Sequence, residues 1–324
     1  MKSWIYSIKK KERRHGSRIH KTVLLAKRNW ILYLFMLPAF LWLLIFHYRP
    51  LYGVQVAFQN YKVGQVIGTS EWVGFKYFIQ FFESYWFPVV MKNTIVLSLL
   101  TFVFTFPLGI ILALMLNEVL NSKFKKIVQT ITYAPHFISM VVVCGALQLF
   151  LSSETGIISH AINNVRELMG LRPINLLMSG SAFKWIYVLS AIWKEVGWGS
   201  VIYFAALSAV DMEQIEAARI DGASKLQRIW YINIPVLLPT IVIQLILNCG
   251  HLLSASFDKV YLLQNDTILS ASEVISTYVY RVGLNGGQFS FGSAVGLFNN
   301  VVNACLLIIV NLIVKKIDKN LSLF

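Results

Sequence analysis

The sequence predicts an all-α integral membrane protein with six transmembrane helices and both termini in the cytoplasm. Three observations carry this. Of the 324 residues, 56% are hydrophobic and only 14% are charged, where a soluble domain carries about 25% charged residues. The charges are clustered, which leaves six apolar stretches on the scale of a bilayer crossing. Lys and Arg also concentrate in alternate connections, as the positive-inside rule requires.

The six expected spans are Trp30–His47, Asn93–Leu116, Ile127–Leu151, Trp185–Leu207, Leu237–Leu253 and Phe291–Val314. With a cytoplasmic N-terminus, 19 of the 29 Lys and Arg fall on the cytoplasmic side and eight on the other, while Lys184 and Lys194 lie at or in the fourth span. Residues 1–29 read as a basic cytoplasmic segment and 30–324 as one six-span domain. Ten cationic residues precede Trp30, from Lys2 to Arg28. A basic stretch beside a span is an anchor attracted to anionic lipid. No recognised binding motif accompanies the net charge of +14, so nucleic acid is not expected as a partner. The first span is too long for a secretory h-region and lacks a small-residue cleavage site after it, so it reads as an uncleaved anchor.

The connection after the first span holds Trp72, Phe75, Tyr77, Phe78, Phe81, Phe82, Tyr85, Trp86 and Phe87. That density suits a helix at the headgroup level, with a sugar-stacking surface as the alternative. Pro38, Pro107 and Pro135 interrupt spans, either as the broken helices transporters build around a central site or as tolerated kinks. Cys144, Cys249 and Cys305 fall in apolar runs and read as small buried hydrophobes. Their spacing fits no metal site.

Lys194 and Glu195 interrupt the fourth span within Trp193-Lys-Glu-Val-Gly-Trp198. Ionisable groups in a span are costly and usually functional. They read as a gate or pathway lining, or as an interhelical ion pair. Asn248 and His251 in the fifth span, and Asn299, Asn300 and Asn303 in the sixth, add polar groups that suit sugar hydroxyls or bind helices together. The candidate pathway set is Trp193, Lys194, Glu195, Trp198, Asn248, His251, Asn299 and Asn300.

The most informative segment is the polar connection 208–236. Asp211 is a good N-cap, and Gln214 is placed to complete a capping box. Glu213 and Glu216 suit the positive end of the helix dipole. Ala217 and Ala218 favour helix with little bulk, and Gly222 supplies the freedom to end it. A second helical stretch over Ser224–Tyr231 follows, and Pro235 and Pro239 mark the return to the membrane.

This segment resembles the EAA loop of binding-protein-dependent ABC importer permeases: Glu-Ala-Ala, three residues, Gly, nine residues, Ile, one residue, Leu-Pro. Glu216, Ala217, Ala218, Gly222, Ile232 and Pro235 fall in register, with Ile234 in place of Leu. Asp221 and Ala223 match the longer Ile-Asp-Gly-Ala form of sugar permeases. Tyr48-Arg-Pro-Leu-Tyr-Gly53, Trp72-Val-Gly-Phe75, Asn93-Thr94, Pro135-His-Phe-Ile138, Thr277-Tyr-Val-Tyr-Arg281 and Gly296-Leu-Phe298 look like the polysaccharide branch.

The resemblance implies a type I ABC importer permease fold in the bacterial cell membrane. It implies a second homologous permease subunit in a heterodimer, two ATPase subunits beneath, and an extracytoplasmic solute-binding protein. ATP and Mg would be held by the ATPases and no cofactor by this chain. Glu213, Glu216, Ala217, Ala218, Arg219, Asp221, Gly222, Ala223 and Pro235 would carry the coupling contact. The implied cargo is a sugar or oligosaccharide, with an alginate-type oligouronate among the options and a non-sugar solute as the alternative. The sequence holds no Walker A pattern, no zincin motif and no G-x-S-x-G elbow, so an enzyme is not expected. An ion-coupled secondary transporter fits six spans and buried charges but leaves the loop unexplained.

Overall fold

The computed structural model describes residues 28–323, so the basic segment 1–29 lies almost wholly outside the described residues. Among those described, the chain is helical, and the sole β-pairing is an isolated bridge between Gln59 and Trp72. In order, the main helices are α1 (Trp30–Phe58), α2 (Lys76–Glu83), α3 (Trp86–Glu118), α4 (Ser122–Phe137), α5 (Met140–Leu151), α6 (Ile157–Leu168) and α7 (Gly180–Leu207). Then come α8 (Met212–Ile220), α9 (Lys225–Cys249), α10 (Phe257–Leu263), α11 (275–285) and α12 (Phe289–Ile317).

Four of these, α1, α3, α9 and α12, are long and apolar enough to cross a membrane. A fifth is α4 with α5 if that pair is one span, its arms meeting at 96°. The fourth expected span, α7, has 28 residues, about 42 Å of helix. Lys184, Lys194 and Glu195 keep it from the apolarity of the others. The sequence-based spans therefore fall on helices, but the count that length and apolarity support is four or five rather than six.

In a bilayer each backbone N–H and C=O must be satisfied within the protein, which is why helices carry the spanning segments. Pro38 and Pro107 sit inside continuous helices, as tolerated residues. Only Pro135 lies at a break, in the tight turn Ala134–Phe137 that ends α4.

The most extensive helix pairing is α3 against α7. A β-carbon on Gly109 would lie 3.5 Å from the Gly199 backbone, so small residues let the two helices approach. One core cluster joins Leu97 of α3 and Phe183, Tyr187 and Val188 of α7 to Val260, Leu263, Ile268 and Val274. A second surrounds Phe81, which is 1% exposed and packs on Phe87, Tyr278, Phe291 and Phe298. Phe81 is thus interior packing, Tyr77, Phe78, Trp86 and Phe87 are half-buried, and Trp72, Phe75, Phe82 and Tyr85 stay exposed.

Beside that core, the fully buried Glu273 accepts two 2.7 Å hydrogen bonds from Arg281, whose guanidinium lies 4.8 Å over the Trp86 ring. The carboxylate holds Arg281 above the ordinary guanidinium range. Of the cysteines, Cys144 is buried as expected, Cys249 is half-buried, and Cys305 is exposed on α12.

Gly197 has no room for a side chain, because a β-carbon there would run into the Thr132 carbonyl of α4. Gly197→Leu should separate α4 from α7 and abolish a monodisperse, detergent-stable protein. A normal elution profile and melting midpoint for this variant would refute the tight crossing.

Candidate functional site

Two regions bring chemistry-bearing residues together. The first is the connection around α8. Asp211 caps α8, its Oδ1 accepting from Glu213 N–H at 2.9 Å. The expected capping box with Gln214 is not formed there. It occurs instead at the next start, where Ser224 Oγ accepts from Gln227 N–H and Gln227 Oε1 accepts from Ser224 N–H. Gly222 ends α8 at φ +81°, a left-handed conformation that favours glycine. Gly222 N–H donates to Arg219 O and Ala223 N–H to Ala218 O, the paired bonds of a Schellman stop.

The second stretch is not a separate helix followed by a span. It is continuous: α9 runs from Lys225 to Cys249 through Pro235 and Pro239. A π-helical turn at Ile229–Asn233 directly precedes Pro235, which has no N–H to offer the preceding turn. Loop and membrane helix are therefore one body.

No residue of α8 is buried. Met212 and Ile220, with Leu226 and Trp230 beyond, are exposed, although an isolated chain gains by covering such groups. Glu213, Glu216, Ala217, Arg219, Asp221 and Gly222 lie on the exposed surface, Ala218 and Ala223 are half-buried, and Pro235 is exposed at the start of the membrane part of α9.

Arg228, which local sequence reasoning passed over, ties this surface down. It is 8% exposed, donating from Nη1 to Ala223 O (2.9 Å) and from Nη2 to Glu118 Oε2 (3.3 Å) at the end of α3. Nothing local in the sequence marks that pairing.

The second region is the break between α4 and α5. Lys194 of α7 is 7% exposed, and its Nζ donates to the carbonyls of Pro135 (3.3 Å), His136 (2.7 Å) and Ile138 (2.7 Å). The break interrupts the intrahelical ladder here, and of the three carbonyls Pro135 O also accepts from Ile138 N–H at 3.2 Å. Lys194 thus reaches across helices to carbonyls and not to a carboxylate. Glu195 Oε2 accepts from His136 Nδ1 at 2.9 Å, and the imidazole stacks on Trp198 at 4.8 Å and 5°. His136 was missing from the candidate set. Its only sequence signal was membership of the Pro135-His-Phe-Ile138 motif.

Glu195 and Trp198 open onto a cavity of about 570 Å³ between α3, α7 and α9, together with Thr105, Phe106, Gln244 and Asn248. A smaller adjoining cavity of about 150 Å³ shares Thr105 and Asn248 and adds Ser98, Thr101 and His251. The Ser98 and Thr101 hydroxyls have no hydrogen-bond partner among the described residues. Of the predicted pathway set, Glu195, Trp198, Asn248 and His251 converge on these cavities. Lys194 lies behind the wall. Trp193 lines a different, apolar groove of about 580 Å³ along α5 and α6. Asn299 and Asn300 line neither polar cavity, and Asn303 binds helix ends together through Leu253 N–H and Ser254 Oγ. No cluster of His, Cys, Asp or Glu among the described residues could hold a metal.

Lys194→Met removes three hydrogen bonds, each worth about 0.6 kcal/mol within a membrane, and strands buried carbonyls. The expected cost is about 2–4 kcal/mol, read as a lower melting midpoint of the purified protein in detergent. An unchanged midpoint would show that the break does not depend on the lysine.

Residues 105–322 match the family model described as binding-protein-dependent transport system inner membrane component. Protein LplB of Bacillus subtilis is 41% identical over 293 residues, covering 90% of this chain and 91% of that one. The polygalacturonan/rhamnogalacturonan transport system permease protein YteP of the same organism is 42% identical over 285 residues, covering 88% of each. A crystal structure of a bacterial ABC transporter involved in import of the acidic polysaccharide alginate superposes with a TM-score of 0.81 at 40% identity. That match covers 90% of this chain and 98% of the other. A second crystal structure is the alginate ABC transporter in complex with alginate pentasaccharide-bound periplasmic protein. It matches equally well, at 40% identity and a TM-score of 0.81, over 91% of this chain and 97% of the other. An exposed helix joined by a tight turn to a membrane helix, beside a polar cavity in an apolar bundle, thus occurs in a chain that belongs to the binding-protein-dependent transport system inner membrane components, the multi-pass permease subunits of ABC importers.

Proposed function

We propose that this chain forms one half of a heterodimeric pathway in a bacterial cell membrane, moving an oligosaccharide delivered by a solute-binding protein. Two ATPase subunits bind beneath the two permeases, one of them docking on α8, and supply the power stroke with ATP and Mg, and the chain holds no cofactor of its own. Six spans and cytoplasmic termini complete the reading, α7 being the span its charges disguise. Acidic oligosaccharides are the cargo class that the named relatives favour.

The observation that carries this is that the exposed α8 is joined by a tight turn to α9, whose exposed start is continuous with its membrane part. Closure of the ATPases would press on α8. The Schellman stop at Gly222 sets the angle between α8 and α9, and Arg228 braces the corner against α3. Because α9 runs unbroken to Cys249, displacement at the loop reaches Gln244 and Asn248 on the cavity wall as rigid-body motion. An aromatic face at Trp198, with amides and hydroxyls around it, is the chemistry that sugar rings require. An ion-coupled transporter would have no use for this exposed lever.

A β-carbon at Gly222 meets nothing within 4 Å. Gly222→Val therefore adds only backbone strain, about 1–2 kcal/mol, and a bulkier docking surface. Combined with Glu216→Lys, it should cut ATP-dependent uptake more than tenfold and prevent co-purification of the ATPases, while membrane abundance stays near normal. Normal uptake by the correctly inserted double variant would overturn the proposal.

Weakening the brace by Arg228→Gln should leave the ATPases bound while lowering the uptake achieved per ATP hydrolysed. The measurement is transport and ATPase rate in the same proteoliposomes, and an unchanged ratio contradicts a coupling role for the brace.

A further inference from the structure

Among the described residues, neither polar cavity is lined by a lysine or an arginine. The single carboxylate on their walls is Glu195, its side chain 42% exposed. One oxygen is held by His136, and the other takes no hydrogen bond from the described residues. The two nearest cations cannot reach cargo. Lys194 and Lys259 are 7% and 3% exposed, and the ammonium of each is tied to backbone carbonyls, Lys259 to Tyr187 O at 2.6 Å.

A passing sugar therefore meets an anion, an aromatic plane, two amides and hydroxyls on this side. Coulomb repulsion across a partly desolvated cavity exceeds that in water several-fold, and Glu195 is the charge that faces the cavity, while Lys194 and Lys259 act on it only from behind the wall.

We infer that Glu195, held by His136, makes this subunit's wall a charge filter that accepts hydroxyl-bearing faces of the cargo and turns sugar carboxylates away. The inference rests on the carbohydrate reading and adds to it. An acidic oligosaccharide would cross with its hydroxyl and ring faces toward Trp198 and Glu195 and its carboxylates on the opposite side. His136 acts as a positioning residue, fixing the carboxylate through Nδ1 and the tryptophan plane through stacking.

The test compares trigalacturonate with its methyl ester, which keeps the ring skeleton and removes the carboxylate charges. Uptake is measured in proteoliposomes holding the whole assembled transporter with its binding protein. For each variant, the ratio of acid to ester uptake is divided by that of the unsubstituted transporter, so delivery by the binding protein cancels. Glu195→Gln should raise this ratio about fivefold by removing a like charge. His136→Leu, which leaves the carboxylate without its partner, should lower it. Trp198→Phe should slow both substrates alike and leave the ratio unchanged. An unchanged ratio in both Glu195→Gln and His136→Leu overturns the filter, as does a shift toward the ester in Glu195→Gln. Absence of ATP-dependent uptake of either substrate by the unsubstituted transporter overturns the carbohydrate reading itself, and the filter with it.

Discussion

The structure depends on the ammonium of Lys194 sitting on the carbonyls of Pro135, His136 and Ile138. A broken helix in a bilayer leaves backbone oxygens with no water to satisfy them. A lysine in a span has the converse problem, a charge without a partner. Here each resolves the other. The break can then persist, turning α5 by 96° from α4. The same contact holds α7 in register, so that Glu195 and Trp198, one and four residues further on, meet His136 and the cavity.

That arrangement explains why α7 is the least apolar of the long helices. Its Gly197 serves close approach to Thr132 of α4, while on the α3 side it is Gly109 of that helix that faces the Gly199 backbone. Its charged pair anchors one neighbour and lines a cavity with the other. A purely apolar α7 would satisfy the bilayer better and would have neither function.

The exposed end of the molecule follows a different logic. There water satisfies the backbone, and local caps decide the geometry: Asp211 starts α8, Gly222 stops it, and Ser224 with Gln227 starts α9. Arg228 tethers this corner over long range to Glu118, and it connects the surface where a partner would push to the end of the helix that walls the cavity. Asn233, in the π-helical turn, is 1% exposed and neither amide atom has a partner among the described residues. It marks the part of the lever with the least local support.

The sequence by itself determined the membrane class, the approximate positions of the long helices and the helix–turn–helix register of residues 211–235, because bilayer length and helix caps are local constraints on a few consecutive residues. It also singled out Glu195, Trp198 and Asn248, since polar groups in apolar runs are conspicuous. Only the tertiary structure decided what those groups touch. Lys194 meets carbonyls 56 to 59 residues away, and Arg228 meets a carboxylate 110 residues away. No local pattern encodes such partners. The sequence reading leaves Lys194 and Glu195 as a gate, a pathway lining or an interhelical ion pair, passes over His136 and Arg228, and gives Asn299 and Asn300 a place at the pathway. Which face of a helix turns inward is settled by packing against distant helices, and the physical reason is that a buried charge is stabilised by whatever group the fold brings within about 3 Å of it.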